Sequence, residues 1–245
     1  LFWEKNKKNE IWNLTAKSWQ DSQGKVIKCQ SFTYDSEGNQ TSETLYGTLS
    51  GKDTPSPVID DKGKVLENGV ESYSIRRTYT EDASFRFVKE THDNGKVVIH
   101  TYNKTTSLKT AEFTGTDTTI LKRCFYEYNG LQQLSAVYID NGSSHNVHDL
   151  QGVTERYATT LLYDTNAEGS ALPEITEEKF LDANSGGFIT LRRTVCSYDK
   201  QGNLVTKQIF NGDDSLHTST TYTYDAFGRL TKEMDNSGTG AEKTY

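Results

Sequence analysis

The side chains that could do chemistry in this chain form a short set. His145 and His148 stand three residues apart with Asp149 beside them, a spacing that could hold a divalent metal ion. A structural zinc site needs four ligands, and neither Cys nor Glu follows at a useful distance. The segment is rich in Gly, Ser and Asn, so it reads as a solvated loop. Asp164-Thr165-Asn166-Ala167-Glu168-Gly169 has the acidic spacing that opens a calcium loop. The twelfth position, which must supply a bidentate Glu, is Ile175, and the segment reads as an ordinary turn. Asp60-Asp61, Glu177-Glu178 and Asp213-Asp214 offer paired carboxylates. Glycosidases place two on opposite sides of a sugar, whereas adjacent acids on a strand point to opposite faces. Trp12, Trp19, Phe85 and Phe87 could stack on sugar rings, but aromatic side chains more often pack. The sequence contains no phosphate loop, no Gly-rich dinucleotide turn and no Gly-x-Ser-x-Gly. The expectation is therefore no catalytic residue, no metal and no cofactor.

The elements that would position any site are strands. The chain has 245 residues, of which 33% are hydrophobic and 11% aromatic. Disordered chains lack aromatic and β-branched residues; this one is rich in Thr and Tyr, as strands are. Against 34 Asp and Glu stand 27 Lys and Arg, a net charge of −7. That balance argues against nucleic acid or an anionic membrane as partner, since both need a basic face. No stretch approaches the roughly 18 apolar residues of a membrane-crossing helix. Cys29, Cys124 and Cys196 are odd in number and scattered, so they read as free, buried thiols rather than a disulfide framework or a metal site. Met234 is the only methionine and the chain starts at Leu1, which reads as a piece of something longer.

Self-similarity is the informative signal. Asp-x-x-Gly occurs at Asp21, Asp35, Asp60, Asp149, Asp199, Asp225 and Asp235, where chance gives about one. His92-Asp93-Asn94-Gly95 is a near miss. Tyr34, Tyr163, Tyr198 and Tyr224 are each followed by Asp, and Tyr102 and Tyr128 by its isostere Asn. The unit is a turn: Asp accepts hydrogen bonds from backbone N–H groups one or two residues on, and Gly takes the φ > 0 position that a Cβ resists. The flanks alternate as strands do. Tyr222 and Tyr224 share a face with Thr221 and Thr223 on the other, and after another turn Leu204, Thr206, Gln208 and Phe210 share one face. Strand, turn, strand is a β-hairpin, and it recurs. Helix signal is weak, with at most a short helix near Glu174–Lys179.

These residues resemble the YD-repeat, or Rhs, family, whose repeat reads approximately Tyr-Asp-x-x-Gly-Arg-Leu. Tyr224-Asp225-Ala226-Phe227-Gly228-Arg229-Leu230 matches at every defined position. Tyr198-Asp199-Lys200-Gln201-Gly202-Asn203-Leu204 differs only in Asn203, and Tyr34-Asp35-Ser36-Glu37-Gly38-Asn39 matches in its first part. Tyr128 to Leu134 keeps the frame without the glycine. The match is strongest in the C-terminal third and degenerate elsewhere, and Tyr198 and Tyr224 stand further apart than the family's usual spacing. The resemblance implies an all-β fold, a strip of consecutive antiparallel β-hairpins forming a spiralling sheet, part of a shell or open barrel. It implies that Tyr34, Tyr163, Tyr198 and Tyr224 pack in register on one face, with Asp35, Asp164, Asp199 and Asp225, together with Gly38, Gly202, Gly228 and Arg229, shaping the turns. The family includes Rhs polymorphic toxins, Tc toxin B and C components, wall-associated proteins and teneurins. The Pro-rich signature that closes the Rhs core does not occur here.

The stretch 47–69, with Pro55 and Pro57, interrupts the array and reads as a long connection or a projecting hairpin. Residues 141–152 and 165–173 read as loops. Strand-like sequence resumes after each, so residues 1–245 read as a single array whose hairpins are stabilised by their neighbours. The function expected from the resemblance is structural: a segment of a secreted or surface shell that encloses or displays another domain, such as a toxin. Its partners would be neighbouring repeats of the same polypeptide and an enclosed domain or a cell-surface ligand, with neither nucleic acid nor membrane insertion. A carbohydrate- or protein-binding surface module is the alternative. A hydrolase would require carboxylates from different hairpins converging in a cleft.

Overall fold

Alternating, Thr-rich segments separated by Asp-, Asn- and Gly-containing turns fold here as strand after strand. The computed structural model describes residues 1–8, 10–66, 68–81, 87–164, 172–182, 184–236, 238 and 240–245. Nineteen β-strands and no α-helix occur among the described residues. The polypeptide divides into two compact units, residues 1–107 with 114–119, and residues 108–113 with 120–245.

The first unit contains β1 (Phe2–Lys5), β2 (Trp12–Gln20), β3 (Val26–Tyr34), β4 (Gln40–Gly47), β5 (Val58–Ile59), β6 (Val65–Leu66), β7 (Ser72–Tyr79), β8 (Val88–Asp93) and β9 (Lys96–Tyr102). β1, β2, β3, β4, β7, β8 and β9 pair antiparallel in that order. β5 and β6 form a separate hairpin between β4 and β7. Its turn lies against the first strand: a Cβ on Gly63 would fall 2.6 Å from Phe2. Glu71 ties down the start of the excursion by accepting from Leu49 and Ser50 N–H at 2.7 and 2.9 Å.

The second unit opens with β10 (Lys109–Gly115), whose last two residues belong to the first. It continues with β11 (Ile120–Tyr128), β12 (Leu134–Asp140), β13 (Arg156–Leu162), β14 (Ile175–Leu181), β15 (Phe188–Tyr198), β16 (Leu204–Asn211), β17 (Leu216–Tyr224), β18 (Leu230–Asp235) and β19 (Glu242–Thr244). From β11 to β19 each strand pairs antiparallel with the next.

Where the sequence allows at most a short helix, near Glu174–Lys179, residues Ile175–Leu181 form β14. Glu177 and Glu178 favour helix only weakly, and two ladders outweigh that preference. Glu178 sits between Thr159 and Arg192 and forms an ion pair with Arg192 at 2.5 Å, the kind of cross-strand contact that stabilises a sheet.

Few side chains are fully buried. In the first unit they include Ala16, Cys29 and Val97; in the second Ala111, Phe113, Cys124, Phe125, Ala136 and Ala158. Most of the second set lies on β11, β12 and β13, where the segment between β12 and β13 folds back over the sheet. All three cysteines are free, Cys196 being half-buried.

Candidate functional site: a tyrosine edge and a clamped loop

The turns are built from one side-chain acceptor each. Asp225 Oδ1 accepts from Phe227 N–H at 2.9 Å and Arg229 N–H at 3.0 Å. Asp199 Oδ1 does the same with Gln201 and Asn203, and Asp35 Oδ1 with Glu37 and Asn39, all at 2.9 Å. Asp21 and Asp60 repeat the pattern. The N–H groups bound are therefore two and four residues on, not one or two. The backbone closes around them: Gly228 N–H donates to Asp225 O at 3.0 Å, and Asp225 N–H to Arg229 O at 2.9 Å. Gly38, Gly202 and Gly228 all have positive φ, 90°, 85° and 76°.

The second carboxylate oxygen explains why Arg and Asn alternate after the glycine. Asp225 Oδ2 accepts from Arg229 Nε at 2.7 Å, and Asp199 Oδ2 from Asn203 Nδ2 at 2.9 Å. Asp35 is served by Asn39 Nδ2 at 2.9 Å. Both side chains offer a planar N–H at the right reach. The result holds the Asp199 and Asp225 carboxyls below their usual range. For Asp199 the Asn203 side chain is the main cause; for Asp225 it is the Arg229 N–H.

At Asn129 the same frame runs with changed parts. Asn129 Oδ1 accepts from Leu131 and Gln133 N–H at 2.9 and 3.0 Å, and its amide donates to Gln133 Oε1 at 2.7 Å. The glycine position is Gln132, at φ 63°.

Asp149 and Asp235 are closed by other backbone bonds: Asp149 Oδ1 accepts from Gln151 N–H at 3.0 Å, but Asp149 N–H goes to Asn146 O, and Asp235 N–H goes to Ala241 O. The His92–Gly95 segment is a two-residue hairpin with Asn94 at φ 46° and Gly95 at φ 81°, the mirror-type turn that suits strand twist. Asp164 is described, but the rest of its calcium-like loop, Thr165 to Gly169, lies outside the described residues, as does Phe85.

The tyrosines before these turns share one geometry. Tyr198 Oη donates to Pro173 O at 3.2 Å, Tyr224 Oη to Leu204 O at 2.9 Å, Tyr163 Oη to Leu134 O at 2.8 Å and Tyr128 Oη to Lys109 O at 2.8 Å. In the first unit Tyr34 reaches Leu14 O at 2.9 Å, Tyr79 reaches Gln40 O at 2.7 Å and Tyr102 reaches Val88 O at 3.0 Å. Each ring lies at the end of its strand and bonds a carbonyl at or within two residues of the start of the strand before it in the sheet. Registers carry the four tyrosines of the second unit to one sheet face, and the three of the first to one face of that unit. Burial pushes the Tyr198 hydroxyl up to about 12 and raises those of Tyr34, Tyr79 and Tyr128, so the donating form persists at neutral pH.

A second cluster had no counterpart in the sequence pattern. Arg123, Asp140 and Arg156 face each other across β11, β12 and β13 and are 0%, 4% and 6% exposed. Arg123 Nε donates to Asp140 Oδ1 at 2.5 Å. Its Nη1 reaches Ser144 O and Asn146 O at 2.8 and 3.1 Å, and its Nη2 reaches Asp149 O at 3.0 Å. Arg156 Nη1 donates to Val147 O at 2.7 Å. Burial lowers the affinity of Arg156 for its proton, and Asp140 opposes that. Two guanidinium groups thus hold the backbone of the 141–152 loop. Gly142 is required by the clamp, since a Cβ there would fall 2.5 Å from Arg123. His145 stacks edge-on against Phe113 at 4.6 Å, and His148 N–H caps onto Asn146. Among the described residues no group of three His, Cys, Asp or Glu is placed to hold a metal ion.

One groove of about 540 Å³ is lined by Thr80, Phe87, Lys89, His100 and Tyr102 among others, with Glu81 its one carboxylate among the described residues; Phe87 stacks on Tyr102 there at 4.9 Å. A groove of about 460 Å³ has Glu4 and Asp35 in its lining. Another of about 650 Å³ has Asp199 and Asp225 in its lining, and both are engaged by their own turns. Trp12 is well exposed, and Trp19 lies between Lys17 and Lys28, 5.2 and 5.3 Å from its ring centroid.

Residues 198–239, the segment containing Tyr198, Asp199, Tyr224, Asp225 and Arg229, match the RHS Repeat family model. The chain is an all-β protein that carries an RHS, or YD, repeat. No curated protein sequence matches it. Similar solved structures include a porin-like protein from Bacteroides uniformis, 11% identical, covering 94% of this chain and 92% of that one, with a TM-score of 0.34. They also include TcdB2-TccC3-TEV, 9% identical over 96% of this chain and 21% of that one, TM-score 0.21. A protein of unknown function from Bacteroides fragilis is 12% identical over 59% of this chain and 95% of that one, TM-score 0.30. The present chain spans about a fifth of the TcdB2-TccC3-TEV polypeptide.

Proposed function

We propose that this chain is a structural segment of a secreted or surface YD-repeat protein, part of a β-shell that encloses or displays another domain such as a toxin. The observation that carries this reading is the RHS Repeat match at 198–239. The recurring bond from a strand-end tyrosine to the preceding strand, present in both units, supports extending the repeat over residues 1–245. Tyr34, Tyr163, Tyr198 and Tyr224 act as rungs between hairpins, and Asp35, Asp164, Asp199 and Asp225, with Gly38, Gly202, Gly228 and Arg229, shape the turns. The segment works as wall and performs no catalysis. Its partners are further repeats of the same polypeptide and whatever domain the shell holds. No helix among the described residues is long and apolar enough to cross a membrane.

The test is protease protection in the parent polypeptide. A domain enclosed by the shell resists digestion until the wall is unfolded by denaturant, and both are cut together. Digestion of every flanking domain while this segment stays intact would overturn enclosure and leave display.

Exposed tryptophans favour a second reading, a surface module for carbohydrate or protein. Trp3 and Trp12 are 53% and 59% exposed. A change in tryptophan fluorescence on titration with glycans, lost in Trp12→Ala, would support it; an unchanged spectrum at millimolar glycan would retire its carbohydrate form.

A further inference from the structure

Five Asn-Gly pairs occur in the sequence, at Asn68, Asn94, Asn129, Asn141 and Asn211. Asn-Gly is the dipeptide most open to intramolecular attack, because glycine leaves its amide nitrogen sterically free to approach the neighbouring side chain. The fold treats the five differently. Asn129 is held by three hydrogen bonds in its turn. Asn141 donates to Thr154 Oγ1 and accepts from Thr154 N–H, while Gly142 N–H is itself occupied by Asp140. Asn211 Nδ2 donates to Ser215 Oγ at 3.0 Å. Asn68 Nδ2 donates to Ser56 O at 3.3 Å. Asn94 alone has a side chain with no hydrogen bond among the described residues, and it is exposed at the tip of the β8–β9 hairpin.

We propose that Asn94 is a site of spontaneous, fold-directed deamidation, and that the other four Asn-Gly pairs are protected by their hydrogen bonds. The Gly95 amide nitrogen attacks the Asn94 Cγ and loses its proton. The Cγ–Nδ2 bond of Asn94 breaks, ammonia leaves, and a five-membered succinimide remains. Water then opens either carbonyl, giving Asp or its β-linked isomer; no electrons are transferred. Unpinned side chains can rotate Cγ toward the attacking nitrogen, whereas a pinned amide must first break its contacts. The product adds a negative charge next to Asp93, whose carboxylate already accepts the Tyr73 hydroxyl. The β-linked form also adds a backbone atom to a two-residue turn whose register is Asp93 opposite Lys96.

The experiment is peptide mapping of the folded protein after incubation at mildly alkaline pH, beside the same protein in denaturant. Cleavage after Lys89 and Lys96 isolates Asn94 from the other four sites. The expected result is conversion at Asn94 several-fold faster than at any other pair in the folded protein, with the five rates converging in denaturant. Ser215→Ala, which removes the partner of Asn211 Nδ2, should raise conversion at Asn211 and leave Asn94 unchanged. Faster conversion at Asn68 or Asn211 than at Asn94 in the folded protein would overturn the proposal, as would equal rates at all five.

Discussion

Along the edge of the second unit where Tyr128, Tyr198 and Tyr224 end their strands, each turn is five residues long and is organised by one Asp or Asn side chain. Along the other edge the connections have no common plan. Residues 211–215 repeat the five-residue closure, with Asn211 N–H bonded to Ser215 O, Asp214 N–H to Asn211 O and Asp214 at φ 62°. Asp182 instead bonds Gly187 O through its N–H and Gly186 N–H through its O, and residues 141–155 form a loop fastened by Arg123 and Arg156. The regular edge repeats a weak device many times. The irregular edge concentrates a strong one in a single place. A strip needs the first to keep hairpins in register and tolerates almost anything on the second, which makes the irregular edge the place where a segment can differ from its relatives.

The largest test of that contrast is Arg123→Met. It leaves Asp140 buried beside one guanidinium group and strips four hydrogen bonds from the fold. Stability should fall by about 3–5 kcal/mol, as when one partner of a buried ion pair is removed, and the 141–152 loop should become the first site of proteolysis. A loss no greater than that of a tyrosine-edge variant would erase the distinction between the edges. Gly228→Ala comes next. A Cβ there meets only Asn203 Oδ1 at 3.8 Å, so the cost is backbone strain at positive φ, about 1–2 kcal/mol by denaturant melting.

Tyr198→Phe removes one hydroxyl from one carbonyl and should cost about 0.5–1.5 kcal/mol. Combined with Tyr128→Phe, a rung further along the edge, the losses should add, because the two rungs share no partner; marked coupling would mean the edge acts as one device. Gln132→Gly should have the opposite sign, raising stability by up to about 1 kcal/mol by relieving the φ of 63°. A loss there would show that Gln132 has a role beyond filling the turn.

The smallest effect concerns acid. Asp199 and Asp225 have folded-state pKa values below their unfolded ones. Their contribution is present above the ordinary Asp value of about 3.9 and is lost as pH falls through the lower folded values. The denaturation midpoint should therefore decline below about pH 4. Asp199→Asn with Asp225→Asn should flatten that decline, since Asn129 shows that an amide can organise the same turn.

The regular edge was open to sequence reading because its chemistry is local: Asp, Gly and the residue after it lie within five positions. Even so, at two Asp-x-x-Gly segments the Asp N–H bonds elsewhere, Asp149 to Asn146 O and Asp235 to Ala241 O, since the pattern alone leaves the flanking strands unspecified. Tyr79 escaped because Thr80 follows it in place of an acid, although it ends its strand like the others. The Arg123–Asp140–Arg156 cluster was opaque for a different reason. Its members lie up to 33 residues apart and meet only through strand register, and single charged residues at such spacing are the norm on any sheet. The composition of β14 leaves its shape open, because its neighbours decide it.

The direction of the tyrosine bonds has a consequence for how such a polypeptide is made. Every acceptor carbonyl, from Leu14 for Tyr34 to Leu204 for Tyr224, lies earlier in the sequence than its donor. As the nascent polypeptide leaves the ribosome, each hairpin can latch onto the one already formed the moment its tyrosine emerges, waiting on nothing still to be translated.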